Sequence, residues 1–174
     1  MQTHIARTLH QTHIARTLHD EHLATLALLA RLETLLGRHA PTAGPDAAAP
    51  GVAALLRDLG RAVAQEIGPH FAFEETELFP RLAEAGAAEM VALLVAEHVE
   101  LLALAQELAA LAAPARTGGF APDAWARFHA AGAALTGALA AHVDKEEMGL
   151  LPAIDDLLDA ETDSALAMIL AQQR

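Results

Sequence analysis

The chain has 174 residues and a formal net charge of −12, from 23 acidic and 11 basic side chains. That balance argues against nucleic acid and anionic membrane as partners, since both are gripped by clustered Lys and Arg, and Lys145 is the only lysine. The absence of cysteine excludes a disulfide frame, a thiolate metal site and a redox thiol.

Hydrophobic residues make up 53% of the chain, much of it alanine, and aromatics only 3%. Alanine favours helix, whereas strands draw on aromatic and β-branched residues, so the expected fold class is all-α. The N-terminal stretch MQTHIARTLHQ has no apolar core of the kind a secretory signal needs. The longest uncharged run, Phe128 to Val143, is sixteen residues and includes two histidines. It is too short and polar to span a bilayer. The expectation is a soluble, cytoplasmic protein without a membrane partner.

In chain order, residues 1–11 hold the first copy of a literal repeat: QTHIARTLH at Gln2–His10 recurs at Gln11–His19. Nine residues turn a helix by about 180°, so Ile5 and Leu9 cannot extend the stripe of Ile14 and Leu18. The first copy is therefore expected to form a helical overhang rather than a histidine tape for metal.

A first long helix is expected from Thr12 to Arg38, with Leu18, His22, Leu26, Leu29, Leu32 and Leu36 on one face. Three prolines make Ala40 to Gly51 a loop. A second helix covers Val52 to Ala85, its stripe ending in His70, Glu74 and Leu78. Gly68-Pro69 should kink it just before His70 and widen one side of whatever His70 faces. After a turn at Gly86, a third helix covers Ala87 to Ala113, with His98 on its apolar face. Pro114 to Pro122 is expected as a loop and Asp123 as the cap of a fourth helix, which carries His142 and Glu146 and stops at Pro152. A tail helix spans about Asp155 to Gln172. Short loops make successive helices antiparallel neighbours, giving an up-down-up-down four-helix bundle over 12–152, with 153–174 as the tail.

Counted from the helix ends at about 1.5 Å per residue, His22, His70, His98 and His142 fall in one layer of that bundle. Two of them open matching motifs. HFAFEETELFP (His70–Pro80) and HVDKEEMGLLP (His142–Pro152) both fit H-x3-E-E-x2-L-[FL]-P, 72 residues apart, and each follows a Glu-His pair, Glu21-His22 or Glu97-His98. The chain thus consists of two related hairpins about a pseudo-twofold axis. Residues i and i+4 share a helix face, so His70/Glu74 and His142/Glu146 aim inward beside His22 and His98. Four imidazoles and two carboxylates in an apolar interior, with almost no Lys or Arg to pair with them, call for a cation. A nitrogen and oxygen donor set without sulfur suits iron, manganese or zinc. Each glutamate could bridge two metals.

These motifs resemble the hemerythrin-like HHE cation-binding domain, over about Leu18 to Pro152. The resemblance implies a non-haem di-iron centre in a four-helix bundle, with His22, His70, Glu74, His98, His142 and Glu146 as ligands to two iron ions joined by an oxo or hydroxo bridge. The chain departs from the oxygen carriers of that family: Leu102 stands where they have a second third-helix histidine, and Glu147 where they have an aspartate. The expected role is to bind or turn over a small diatomic or peroxide, O2, H2O2 or NO. The alternative is an iron store, donor or sensor without turnover.

Glu75 and Glu147, about 100° off the ligand direction, are expected outside the ligand set, either supporting the ligands from behind or in solvent. Glu77 is a candidate acceptor for a ligand, and His19 a candidate fifth histidine. His4, His10, His13, His39 and His129 are expected not to bind. Gly149, which takes the place of Glu77 in the repeat, is expected to leave room for a small ligand.

Overall fold

The computed structural model describes residues 11–172, and no strand occurs among them. Residues 1–10, and with them the expected N-terminal overhang, lie outside the described residues.

Helix α1 is His13–Arg38, and Thr12 caps it, its Oγ1 accepting a hydrogen bond from the Ala15 N–H at 3.3 Å. Helix α2 (50–87) starts at Pro50–Ala62, widens at Val63–Ile67 and Glu74–Leu78, and ends in the expected turn, where Gly86 takes φ 111°. Helix α3 is Ala88–Gly118. Helix α4 (122–157) comprises Pro122–Lys145, a wide turn at Glu146–Leu150, and Leu151–Leu157. Helix α5 is Ala160–Gln172. α1 packs against α2 and α4, and α3 against the same two, so the four long helices close a ring. α5 lies along α1. No helix among the described residues is long and apolar enough to cross a membrane.

Proline governs most of the differences from the sequence expectation. α3 runs through Pro114, so the loop before α4 shrinks to 119–121. Ala121 rather than Asp123 sits at the start of α4, with Asp123 in its first turn. α4 does not stop at Pro152 but continues to Leu157. The reason lies one turn earlier. A proline has no N–H for the carbonyl four residues back and its ring presses on that carbonyl. A five-residue wide turn takes up the misfit by moving to i→i+5 hydrogen bonds. Val63–Ile67, Glu74–Leu78 and Glu146–Leu150 each end two residues before a proline, Pro69, Pro80 and Pro152. The Phe79 N–H bonds the Glu74 carbonyl, and the Leu151 N–H bonds the Glu146 carbonyl.

The apolar side chains form two clusters. One gathers Leu29, Leu32, Leu36, Leu56, Leu108, Trp125 and Phe128. The other gathers Ile14, Leu18, Phe73, Leu78, Leu94, Leu150, Ile154 and Leu166. The C-terminal segment also secures the start of α1. Asp155 accepts from the Gln11 and Thr12 N–H groups, and buried Asp163 takes the His13 and Ile14 N–H groups on separate oxygens, both at 2.9 Å. Two carboxylates thereby satisfy helix-end donors that would otherwise be unpaired and complement the positive end of the helix dipole.

Candidate metal centre

His22 of α1, His70 and Glu74 of α2, His98 of α3, and His142 and Glu146 of α4 come together in the bundle interior. All are buried except His70, which is nearly so. They fall into two groups with a shared member: His22, His70, Glu74 and Glu146 on one side, His98, His142 and Glu146 on the other. The carboxylates span the two groups. Glu146 places Oε2 3.0 Å from His22 Nε2 and Oε1 3.0 Å from His142 Nε2. Glu74 places Oε1 3.3 Å from His70 Nε2 and Oε2 3.4 Å from His98 Nε2. His98 Nε2 and His142 Nε2 are 3.1 Å apart, both turned toward the same point.

The inward-facing atoms lack partners. Both oxygens of Glu74, both of Glu146 and Nε2 of His22 are buried without a hydrogen-bond partner among the described residues. The 3.0 Å approach of His22 Nε2 to Glu146 is too poorly aligned to count as one. No lysine or arginine is buried among the described residues. Buried carboxylates left like this are costly unless a cation takes them. The donor set therefore suits a metal cation.

Outward, every imidazole is held by a different carboxylate. His70 Nδ1–H donates to Glu21 at 2.7 Å and His142 Nδ1–H to Glu97 at 2.8 Å. His22 Nδ1–H donates to Glu147 at 2.7 Å and His98 Nδ1–H to Glu75 at 2.8 Å. An ionised carboxylate only accepts, so Nδ1 carries a proton and Nε2 is the nitrogen turned toward the centre, free for a metal once it is deprotonated. The pairs obey the internal repeat: Glu21–His70 maps onto Glu97–His142, and Glu147–His22 onto Glu75–His98. Each letter of the repeated motif thus has a place. The histidine and the first glutamate face the centre, the second glutamate orients an imidazole of the other half, Leu78–Phe79 and Leu150–Leu151 are core, and the proline widens the turn that starts at the first glutamate.

These carboxylates set the charge of the imidazoles. Burial works against a charged His22, but Glu146 and Glu147 outweigh it and raise its pKa from 6.5 to about 9. Burial likewise opposes charge on His70 and His142, and is overcome by Glu74 and Glu21 in one case and Glu146 and Glu97 in the other. Burial would raise Glu146, yet the close imidazoles of His142, His22 and His98 hold it well below the usual carboxylate range. Glu147 is depressed by His22 and His19 against the same burial.

The other expectations fare unevenly. Of the two places expected for Glu75 and Glu147, they take the one behind the ligands, each holding an imidazole, and Glu21 and Glu97, to which sequence reasoning gave no role, are their counterparts. The only available signal was the Glu-His pair repeated in each half. Glu77 pairs with Arg81 at 3.4 Å and touches no ligand candidate. His19 shares Glu147 with His22, at 2.9 Å, instead of reaching the centre. His129 approaches the Leu36 carbonyl and His39 packs edge-on to Trp125, both away from the site. His4 and His10 lie outside the described residues.

The two faces of the centre differ. A cavity of about 270 Å³ reaches His22, His70, His142 and Glu146 and is walled by Ile67, Pro69 and Val143, next to the wide turn before Pro69. Phe71, which also lines this cavity, covers His98 by stacking on it, with ring centroids 3.8 Å apart. Gly149 does not line the cavity: a Cβ there would meet Met90 Sδ at 3.5 Å, an ordinary packing contact. The room expected at Gly149 is instead found beside Val143.

The hemerythrin HHE cation binding domain family matches residues 13–154. Among curated proteins none matches the chain.

Proposed function

Since the chain belongs to the hemerythrin HHE cation-binding domain family, we propose that it holds a non-haem di-iron centre which binds or turns over a small oxidant or diatomic, O2, H2O2 or NO. Family membership implies metal binding, and the nitrogen and oxygen donor set without sulfur supports iron. The observation that carries it is the pairing of five buried, partnerless donor atoms with a cavity that opens onto one side of them.

On this reading His22, His70, Glu74 and Glu146 would hold one ion, and His98 and His142, with the same two glutamates, would hold the other. Bound iron supplies Lewis acidity and redox capacity. The protein supplies the rest. Glu21, Glu75, Glu97 and Glu147 fix the imidazole planes and tautomers. Phe71 shields the His98 face from water, and the gap left by Val143 admits a ligand to the His22/His70 face. The repeat symmetry of the site also supports an up-down-up-down order for α1 to α4, with residues 12–152 as the metal-binding bundle and 153–174 as a tail that caps α1.

Metal analysis with the optical spectrum of protein purified without added metal tests this reading. About two irons per chain with a near-ultraviolet band that shifts on adding azide supports it. Zinc alone, or no metal, overturns it. Iron that ignores azide, peroxide and NO favours the storage or sensor reading.

A further inference from the structure

The cavity beside His22 and His70 is larger than a diatomic requires. An apolar cavity of about 150 Å³ accommodates benzene, and this one measures about 270 Å³; ions held by His22, His70 and Glu146 occupy only its floor. Polar groups sit at that floor and at the rim, where Thr25, Gln65 and Glu66 reach the surface. The wall between them is apolar: Ile67, Phe71, Leu139, Val143 and Leu170. Leu170 stands apart, because it belongs to α5, outside the residues matched by the family. It is buried at 5% exposure, and α5 is registered against α1 by the Asp163 carboxylate on the His13 and Ile14 N–H groups. The tail helix therefore completes a wall that the bundle alone leaves unfinished.

We propose that this cavity binds an organic molecule with an apolar body of about one ring and a single oxygen group at one end, and that Leu170 sets the size it accepts. The proposal rests on the di-iron reading for its polar end, since the oxygen group points to the His22/His70 floor. The body is held by burial of apolar surface, which needs no metal.

Benzyl alcohol is a suitable probe, titrated by calorimetry into full-length metal-loaded protein and again after the metal is removed, with glycerol as a polar control. Benzyl alcohol should bind in both forms and glycerol in neither. Leu170→Phe and Leu170→Trp should weaken benzyl alcohol binding by about tenfold or more while leaving metal content unchanged. Leu170→Ala should admit 2-naphthylmethanol, which the parent rejects. The reverse results, no benzyl alcohol binding, equal binding of glycerol, or indifference to all three Leu170 variants, overturn the proposal. Protein that binds benzyl alcohol but never contains iron would sink the di-iron reading and leave the organic site standing, so the two failures are distinct.

Discussion

Phe71 lies flat on His98, with planes within 6° of parallel and ring centroids 3.8 Å apart, and the internal repeat puts Val143 in the corresponding place beside His22. The same pseudo-twofold architecture thus has one face closed by a ring and one left open by the loss of that ring. Val143→Phe should fill the open face. The expected outcome is unchanged metal content with azide association slowed by at least about tenfold, read by stopped-flow absorbance. Phe71→Val should instead open the His98 face, at a cost of about 1–3 kcal/mol in thermal stability from lost packing. Unaltered azide kinetics in Val143→Phe would show that ligands enter elsewhere.

The orienting glutamates make a second prediction. Glu21 and Glu97 hold His70 and His142 by their Nδ1–H groups, and removal of such a partner costs about 10–100-fold in metal affinity. Glu21→Ala should weaken the ion on the His22/His70 side and Glu97→Ala the other, so each variant should lose one of two ions first in a chelator competition. Loss of both ions together in both variants would contradict two separable positions. Replacing His70 and His142 together should abolish binding, and full occupancy in that variant would remove the ligand assignment.

What could be read from the sequence was what periodicity controls. His70/Glu74 and His142/Glu146 share helix faces by the i, i+4 rule, and counting residues from helix ends placed four histidines at one level. What could not be read depended on departures from an ideal helix or on long-range partners. Pro152 looked like a stop signal because proline breaks an ideal helix, whereas a wide turn absorbs it and α4 continues to Leu157. The reach of Glu75 to His98, and of Glu147 to His22, crosses between halves of the chain and has no local signature. Asp155 and Asp163 cap a helix about 150 residues earlier, which no window of sequence reveals.

Asp163 gives a third prediction. Asp163→Ala leaves two amides at the start of α1 without their acceptor and should lower stability by about 0.5–2 kcal/mol, as for other lost helix caps. The residue touches no ligand candidate, so iron content at saturation should be unchanged. A chemical denaturation curve with a shifted midpoint and unaltered metal stoichiometry is the expected pair of results; loss of metal would mean that α1 cannot hold His22 without this cap.

The wide turns give a fourth. Pro152→Ala restores an N–H and lets Glu146–Leu150 tighten to an ordinary helix, which favours the metal-free chain by at most about 3 kcal/mol. Tightening also shifts Glu146 and Glu147 relative to His142, His22 and the opposite helices. The variant should therefore be at least as stable as the parent without metal and bind metal more weakly. This is the trade-off expected where a strained local geometry serves a site. Equal metal affinity with higher stability would make the proline incidental to the site.

The last prediction follows from the charges of the metal-free centre. His22 has a folded pKa of about 9 against an ordinary 6.5, because Glu146 and Glu147 outweigh the burial that opposes its charge. A group whose pKa is raised on folding stabilises the fold fully below its unfolded value, and that contribution fades as pH rises through the folded value. His70 and His142 shift in the same direction. Glu146 shifts the opposite way, to well below 4.5, so its contribution is present above 4.5 and is lost on acidification. Metal-free protein should thus be most stable between about pH 4.5 and 6.5 and lose stability steadily from there to about pH 9. Metal reverses the trend, since an ion needs the Nε2 lone pair that the proton occupies. Binding at pH 7 should release protons, and affinity should rise up to about pH 9. Thermal melts of the chelated and loaded forms across pH 5–9.5, with proton release followed by an indicator dye, should show the two stability curves diverging as pH rises; parallel curves and no proton release would mean that the imidazoles are already neutral in the metal-free protein.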